Sequence, residues 1–150
     1  MKIRLNNRYI NFAVKSMVSF VLLFIGGSIY ILFRPKSLQM FNWIDHLGLT
    51  SIVNRLRESV SELSLGHITL YSLPDGLWLA SYIIMVNTIV PKEHKSNLLF
   101  WSFLLPAIAI IFEFLQIPGI ISGVFDIYDL ICYLIPLIIN VIYLKYEKVI

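Results

Sequence analysis

Nine carboxylates occur in the 150 residues, and five polar side chains that border or interrupt apolar runs have types and spacings suited to chemistry: Asp75, Glu113, Gln116, Asp126 and Asp129. Glu113 and Gln116 stand three residues apart, as do Asp126 and Asp129, so on a helix each pair shares a face. Neighbouring carboxylates can work as general acid and base, or as oxygen ligands for a hard cation. Mg²⁺ or Ca²⁺ suits such a set better than zinc, which favours Cys and His; no individual metal ligand is assigned by the pattern. The three histidines are each isolated; His94 falls in a different link, which leaves His46 and His67, in the long 34–71 link, as outer-face contributors if any histidine joins the site. Cys132 lies in an apolar run and reads as a helix-packing residue, not a nucleophile. No nucleophile elbow, phosphate loop, zinc-protease pair or kinase signature is present.

These side chains need elements to hold them. The chain is 58% hydrophobic and 14% charged, with a mean hydropathy of +0.79, whereas soluble chains carry about a quarter charged residues. A bilayer is the solvent that fits. Intrinsic disorder, a disulfide-stapled secreted module and a cytosolic enzyme are excluded. The net charge of +3 does not point to nucleic acid, because the basic residues sit at the ends of apolar segments as membrane-flanking charges do.

Four apolar segments, over about 12–33, 72–90, 98–117 and 127–144, predict an all-α integral membrane bundle in a single domain. About 20 residues cover the roughly 30 Å of hydrocarbon. The first reads as an uncleaved anchor despite the basic Lys2, Arg4, Arg8 and Lys15, because it is too long for a signal peptide and ends in Arg34-Pro35-Lys36 without a small-residue cleavage pattern. The second reaches spanning length only if it starts at Ser72, where Ser72-x-x-Asp75 predicts a capping box and Pro74 suits the first turn. The third carries Pro106 midway, a kink that neighbouring helices accommodate in membranes.

Lysines and arginines near segment ends set orientation. The N-terminal tail, the link holding Lys92 and Lys95, and the tail with Lys145 and Lys148 are basic, while 118–125 has no charge, so both termini are expected in the cytoplasm. The long link from Arg34 to Tyr71 also holds Arg34, Lys36, Arg55 and Arg57, but a link of that length weighs less in the rule. Within it, 50–63 reads as an amphipathic helix, with Thr50 as N-cap and Ile52, Val53, Leu56, Val60 and Leu63 on one stripe. That helix either lies in the headgroup plane, with Phe41, Trp43 and Ile44 as further anchors, or packs over the bundle as a cap.

Counted from Leu98, Glu113 lies about 22 Å along the third segment, near the outer leaflet. An ionised acid at a helix centre costs about 2.5–3.5 kcal/mol on the insertion scale, so Glu113 must be partnered, hydrated or neutral. With this topology Asp75, Glu113, Gln116, Asp126 and Asp129 meet at one outer level and form a polar pocket. Structural alternatives stand beside that reading: Gln116 and backbone groups satisfying Glu113, Asp75 as half of a capping box, Asp126 as the N-cap of the last helix, and Asp129 complementing the helix dipole. The uncharged 118–125 link, with Gly119 and Gly123 as turn residues, is expected to dip back toward the bilayer.

The stretch Glu113-Phe-Leu-Gln116, a glycine-containing link, then Gly123-Val-Phe-Asp126-Ile-Tyr-Asp129-Leu130, resembles the C-terminal signature of VanZ-like membrane proteins, and Ser72-Leu-Pro-Asp75-Gly76-Leu-Trp78 looks like a corresponding polar helix start. The resemblance covers 70–144. It implies a small multi-helix protein of the bacterial inner membrane in a family that includes members linked to glycopeptide-antibiotic resistance. The chain departs from the pattern in having no arginine in 118–125 and in carrying Tyr133 and Leu134 after the last acid.

Together these features predict an outer-leaflet acidic pocket that binds or processes a cell-envelope amphiphile, a lipid, lipid-linked precursor or antibiotic-like peptide. Glu113, Asp126 and Asp129 are the acid–base candidates; Asp75, Gln116, Arg34 and Arg55 are the binding candidates. Partners are membrane lipids, such an amphiphile, and a membrane protein if the chain is instead a non-catalytic subunit or immunity-type protein docked on a larger complex.

Overall fold

The computed structural model describes residues 2–150, with side chains from residue 9 onward; the basic side chains of Lys2, Arg4 and Arg8 lie outside the described set. Every element is helical, as a chain of long apolar runs dictates: α1 (Lys2–Phe33), α2 (Gln39–His46), α3 (Thr50–Ser59), a π-helical turn (Ile68–Ser72), α4 (Leu73–Ile89), α5 (Lys95–Gln116) and α6 (Ile127–Tyr146). Three helices are long and apolar enough to cross a membrane: α1 over Tyr9–Phe33, α5 and α6, with mean hydropathies of 2.2, 2.2 and 2.0. α4 has 17 residues, short of the roughly 20 that a span requires, but the π turn extends the helical run from 68 to 89 without a break.

α4 is the centre of the bundle, packing against α1, α5 and α6. It runs antiparallel to α1, since Ser19 donates to the Ser81 carbonyl (2.8 Å) near one end and Arg34 donates to the Tyr71 carbonyl (2.9 Å) at the other. It runs alongside α6 in the same direction, with Gly76 against Cys132 and Asn87 bonded to Asn140 (2.7 Å). Small residues make these approaches close. A Cβ on Gly76 would sit 2.8 Å from the Cys132 carbonyl oxygen, and one on Gly26 would sit 2.7 Å from the Trp78 ring, the close backbone approach by which helices associate where lipid supplies no hydrophobic drive.

Buried positions are shared between apolar residues such as Leu79, Leu98 and Leu144 and polar ones. Ser19, Ser72, Ser81, Ser102, Glu113 and Asn140 are buried, while Phe24 is 75% exposed and Ile142 63%. Apolar side chains form the outer surface of α1, α5 and α6, and polar ones lie between helices, the distribution expected where the surroundings are hydrocarbon.

Three local expectations are corrected. Ser72 does not open α4 with a capping box: its backbone is right-handed helical (φ −97°, ψ −40°), it makes no cap bond, and its hydroxyl is buried without a partner. An N-cap needs an extended backbone, and the π turn upstream already holds Ser72 in a helix. Thr50 is likewise not an N-cap; Leu49 occupies that place and the Thr50 hydroxyl donates to Asp45 Oδ1 (2.8 Å). The amphipathic helix starts at Thr50 as expected but ends at Ser59, short of 63, and a further helix, α2, precedes it across a left-handed turn at Gly48 (φ 69°). On α3 only Val53 is buried; Ile52 and Leu56 are exposed. α3 packs against α1, with Arg57 donating to the Ile31 carbonyl, and leaves the rest of the stripe uncovered.

Candidate functional site

Asp126 is where the site begins. Its extended backbone (φ −126°, ψ 119°) makes it the N-cap of α6, and its Oδ1 accepts the Tyr128 N–H (2.9 Å). An N-cap residue's own N–H is taken up in a capping box by a glutamate three residues on; here Glu113 Oε1, from the end of α5, accepts the Asp126 N–H (2.7 Å). Glu113 is 2% exposed, and the Gln116 amide donates to its other oxygen (3.4 Å). Gln116 in turn rests on Gly123, whose φ of 146° and close contact with the amide (2.8 Å for an added Cβ) demand glycine. Glu113 thus faces protein, not lipid, and ties the α5–α6 link to the start of α6.

One turn into α6, Asp129 has a buried Oδ1 without a partner among the described residues. Opposite it, Arg34 at the end of α1 donates to the Tyr71 carbonyl, and its guanidinium lies over the Tyr30 and Tyr71 rings at 4.9 and 4.6 Å. Its Nε is also buried without a partner. His67 stacks on Tyr71 (4.7 Å between ring centres) and approaches Asp126 Oδ2 to 3.8 Å. These groups enclose a cleft of about 260 Å³, lined by Arg34, His67, Tyr71, Asp126 and Asp129 and walled by Val124 and Phe125. Asp75 stands behind it, within electrostatic reach of Arg34, Asp129 and Glu113.

Of the residues singled out in the sequence, Asp75, Glu113, Gln116, Asp126, Asp129 and Arg34 gather at one end of the bundle, and only Arg34, Asp126 and Asp129 line the cleft. Arg55 does not join them. It is exposed on α3, and two helical positions on, where the side chain points the other way, Arg57 donates to the Ile31 carbonyl (2.6 Å) and lies over Phe41. Of the outer-face histidines His67 joins the cleft, and Tyr71 joins it with no motif to announce it; the spacing of four in His67/Tyr71 and in Tyr30/Arg34 is the sequence signal that each pair can meet along one helix.

Among the described residues no group of three His, Cys, Asp or Glu side chains is arranged to hold a metal ion. One oxygen of Glu113 and one of Asp126 are committed to backbone N–H groups.

No protein-family model, curated protein or solved structure matches the chain.

The chemistry on offer is thus that of the cleft itself. Arg34 presents a cation with an open donor, Asp129 an open acceptor, and the Tyr71 and His67 rings a flat, partly apolar wall. Such a set can meet an anionic oxygen and a hydrogen-bond donor together.

Proposed function

We propose that the chain is a four-span, VanZ-like protein of the bacterial inner membrane, both termini cytoplasmic, whose outer cleft holds the headgroup of a cell-envelope amphiphile. The supporting observation is that Arg34 and Asp129 line one cleft, and that Arg34 Nε and Asp129 Oδ1 are both buried and unpartnered. A buried donor or acceptor left open costs about 1–3 kcal/mol, which a phosphate on Arg34 and a donor on Asp129 would relieve.

The membrane placement has its own support. Lys15 and Arg34 on α1 are nineteen residues apart, about 28 Å of helix, the thickness of the hydrocarbon. Lys92, Lys95, Lys145 and Lys148 belong to the Lys15 end, so the positive-inside bias puts that end in the cytoplasm. α4 with its π turn serves as the fourth span, held between three apolar neighbours.

Native mass spectrometry of the full chain in mild detergent tests the function. The expected result is a retained amphiphile bearing phosphate, lost in Asp129→Asn with unchanged abundance and insertion. Retention by that variant equal to wild type would remove the cleft as the binding site. A second reading, a subunit or immunity-type partner of a larger membrane complex, is favoured by the uncovered Ile52 (54% exposed) and Leu56 (49%) on α3. It predicts that Ile52→Ser with Leu56→Ser abolishes co-purification of a protein partner while Asp129→Asn leaves it intact.

A further inference from the structure

A second site lies at the opposite end of the bundle. α1 and α6 flank α4 with their backbones apart, bridged at one end where Lys15 donates to the Tyr143 hydroxyl, leaving an apolar groove of about 400 Å³ with Ile83 of α4 in its floor and Val18 and Ile139 among its walls. It runs into a polar basin of about 540 Å³ formed by the end of α1, the α4–α5 link and the end of α6; Lys15 and Asn87 belong to both. An apolar trough opening into a polar basin at a helix-end level has the shape of an amphiphile.

Three observations specify the occupant. Asn140, 2% exposed, lines the trough, and its bond from Asn87 leaves Asn140 Nδ2 and Asn87 Oδ1 buried without partners. An open amide donor where trough meets basin suits an ester carbonyl. In the basin, Lys92 and Glu147 pair with each other, whereas Lys15 is bonded only to the neutral Tyr143 hydroxyl (2.9 Å) and Glu93 has no ion pair among the described residues. Lys15 and Glu93 thus both line the basin without an ion pair of their own among the described residues.

We propose that this trough and basin bind one aminophospholipid: an acyl chain along α4 between α1 and α6, an ester carbonyl on Asn140, the phosphate on Lys15 and the ammonium on Glu93. A phosphatidylglycerol headgroup satisfies Lys15 but leaves Glu93 opposed to an anion-bearing ligand with no ammonium to offer. The site is separate from the Arg34–Asp129 cleft and stands whether or not that cleft binds anything.

Full-length protein, purified in mild detergent and exchanged into mixed micelles with equal amounts of phosphatidylethanolamine and phosphatidylglycerol, is examined by native mass spectrometry. One phosphatidylethanolamine is expected per chain, favoured about tenfold over phosphatidylglycerol, a 1.4 kcal/mol difference. Lys15→Met and Asn140→Leu should each cut its retention about tenfold, the loss of one such polar contact, and Glu93→Gln should erase the headgroup preference. Ile139→Trp, at a half-exposed position on the trough wall, fills the groove without removing a buried contact and should expel the lipid from a protein that remains folded. Equal retention of both lipids, or undiminished retention by Ile139→Trp, overturns the assignment, as does a second copy of the chain cross-linked through the trough.

Discussion

Glu113 shows how one residue can be costly and necessary at once. Buried near the end of an apolar helix, it supplies the acceptor that the first backbone N–H of the next helix lacks. Removing it leaves that N–H unsatisfied, at a cost of about 1–3 kcal/mol. Glu113→Ala is therefore expected to lower the unfolding free energy in micelles by that amount, while Glu113→Gln, whose amide oxygen still accepts the N–H, stays close to wild type. If the two variants were equally destabilised, charge and not acceptor geometry would be what matters at 113. Asp126→Ala removes the N-cap bond to Tyr128 and should cost about 1 kcal/mol in the same measurement. Asp126 as an N-cap is legible in the sequence because an acid directly precedes an apolar run. That its own N–H is answered from thirteen residues upstream is not, since the partner belongs to another helix.

At the scale of elements, the contact of α4 with α6 depends on the missing side chain at 76. A Cβ there meets the Cys132 carbonyl at 2.8 Å, and backbone cannot yield as a side-chain tip can. Gly76→Ala is expected to destabilise the bundle by about 1–3 kcal/mol, as overpacking does, and to shift the neighbouring cleft, read as loss of retained amphiphile; an unchanged melting profile would contradict the close packing. The Lys92–Glu147 pair joins the α4–α5 link to the end of α6. Partial burial works to lower the Lys92 ammonium, but the hydrogen bond and charge of Glu147, with Tyr143, outweigh it and raise it above the usual lysine range. The hydrogen bond and charge of Lys92 hold the Glu147 carboxyl below its usual range. A depressed acid stabilises above its unfolded value and loses that contribution as pH falls through the folded one; a raised base does so as pH climbs through its folded value. The pair's contribution, at most about 1 kcal/mol for a half-exposed bridge, should therefore vanish both in acid below the ordinary glutamate range and in alkali above the ordinary lysine range, and the pH dependence of melting should flatten at both ends in Lys92→Met.

At the scale of the whole molecule, the polar cleft and the lysine-rich end occupy opposite ends of one bundle. In a Cys132→Ala background, Val124→Cys, beside the cleft and 87% exposed, is expected to react with a membrane-impermeant thiol reagent from outside intact cells, and Lys145→Cys only after lysis. The reverse pattern would invert the orientation and move the cleft to the cytoplasmic side.

The sequence by itself determined that the chain is helical, that it holds long apolar stretches suited to a bilayer, four by the sequence pattern and three of them long enough as helices, and that acids cluster at segment ends. Each of these is carried by composition or by spacing within one helix, where 3.6-residue periodicity and 1.5 Å rise turn residue number directly into position. Only the tertiary structure decided which acids face a cleft and which serve backbone groups, that Arg57 and not Arg55 reaches α1, that His67 and Tyr71 join Arg34, and that Ser72 continues a π turn instead of capping α4. Those outcomes depend on how α1, α5 and α6 rotate about α4, and rotation is fixed by small residues meeting across interfaces, as at Gly26, Ser81, Gly76 and Cys132. Such meetings join positions far apart in the chain, and no local pattern encodes them.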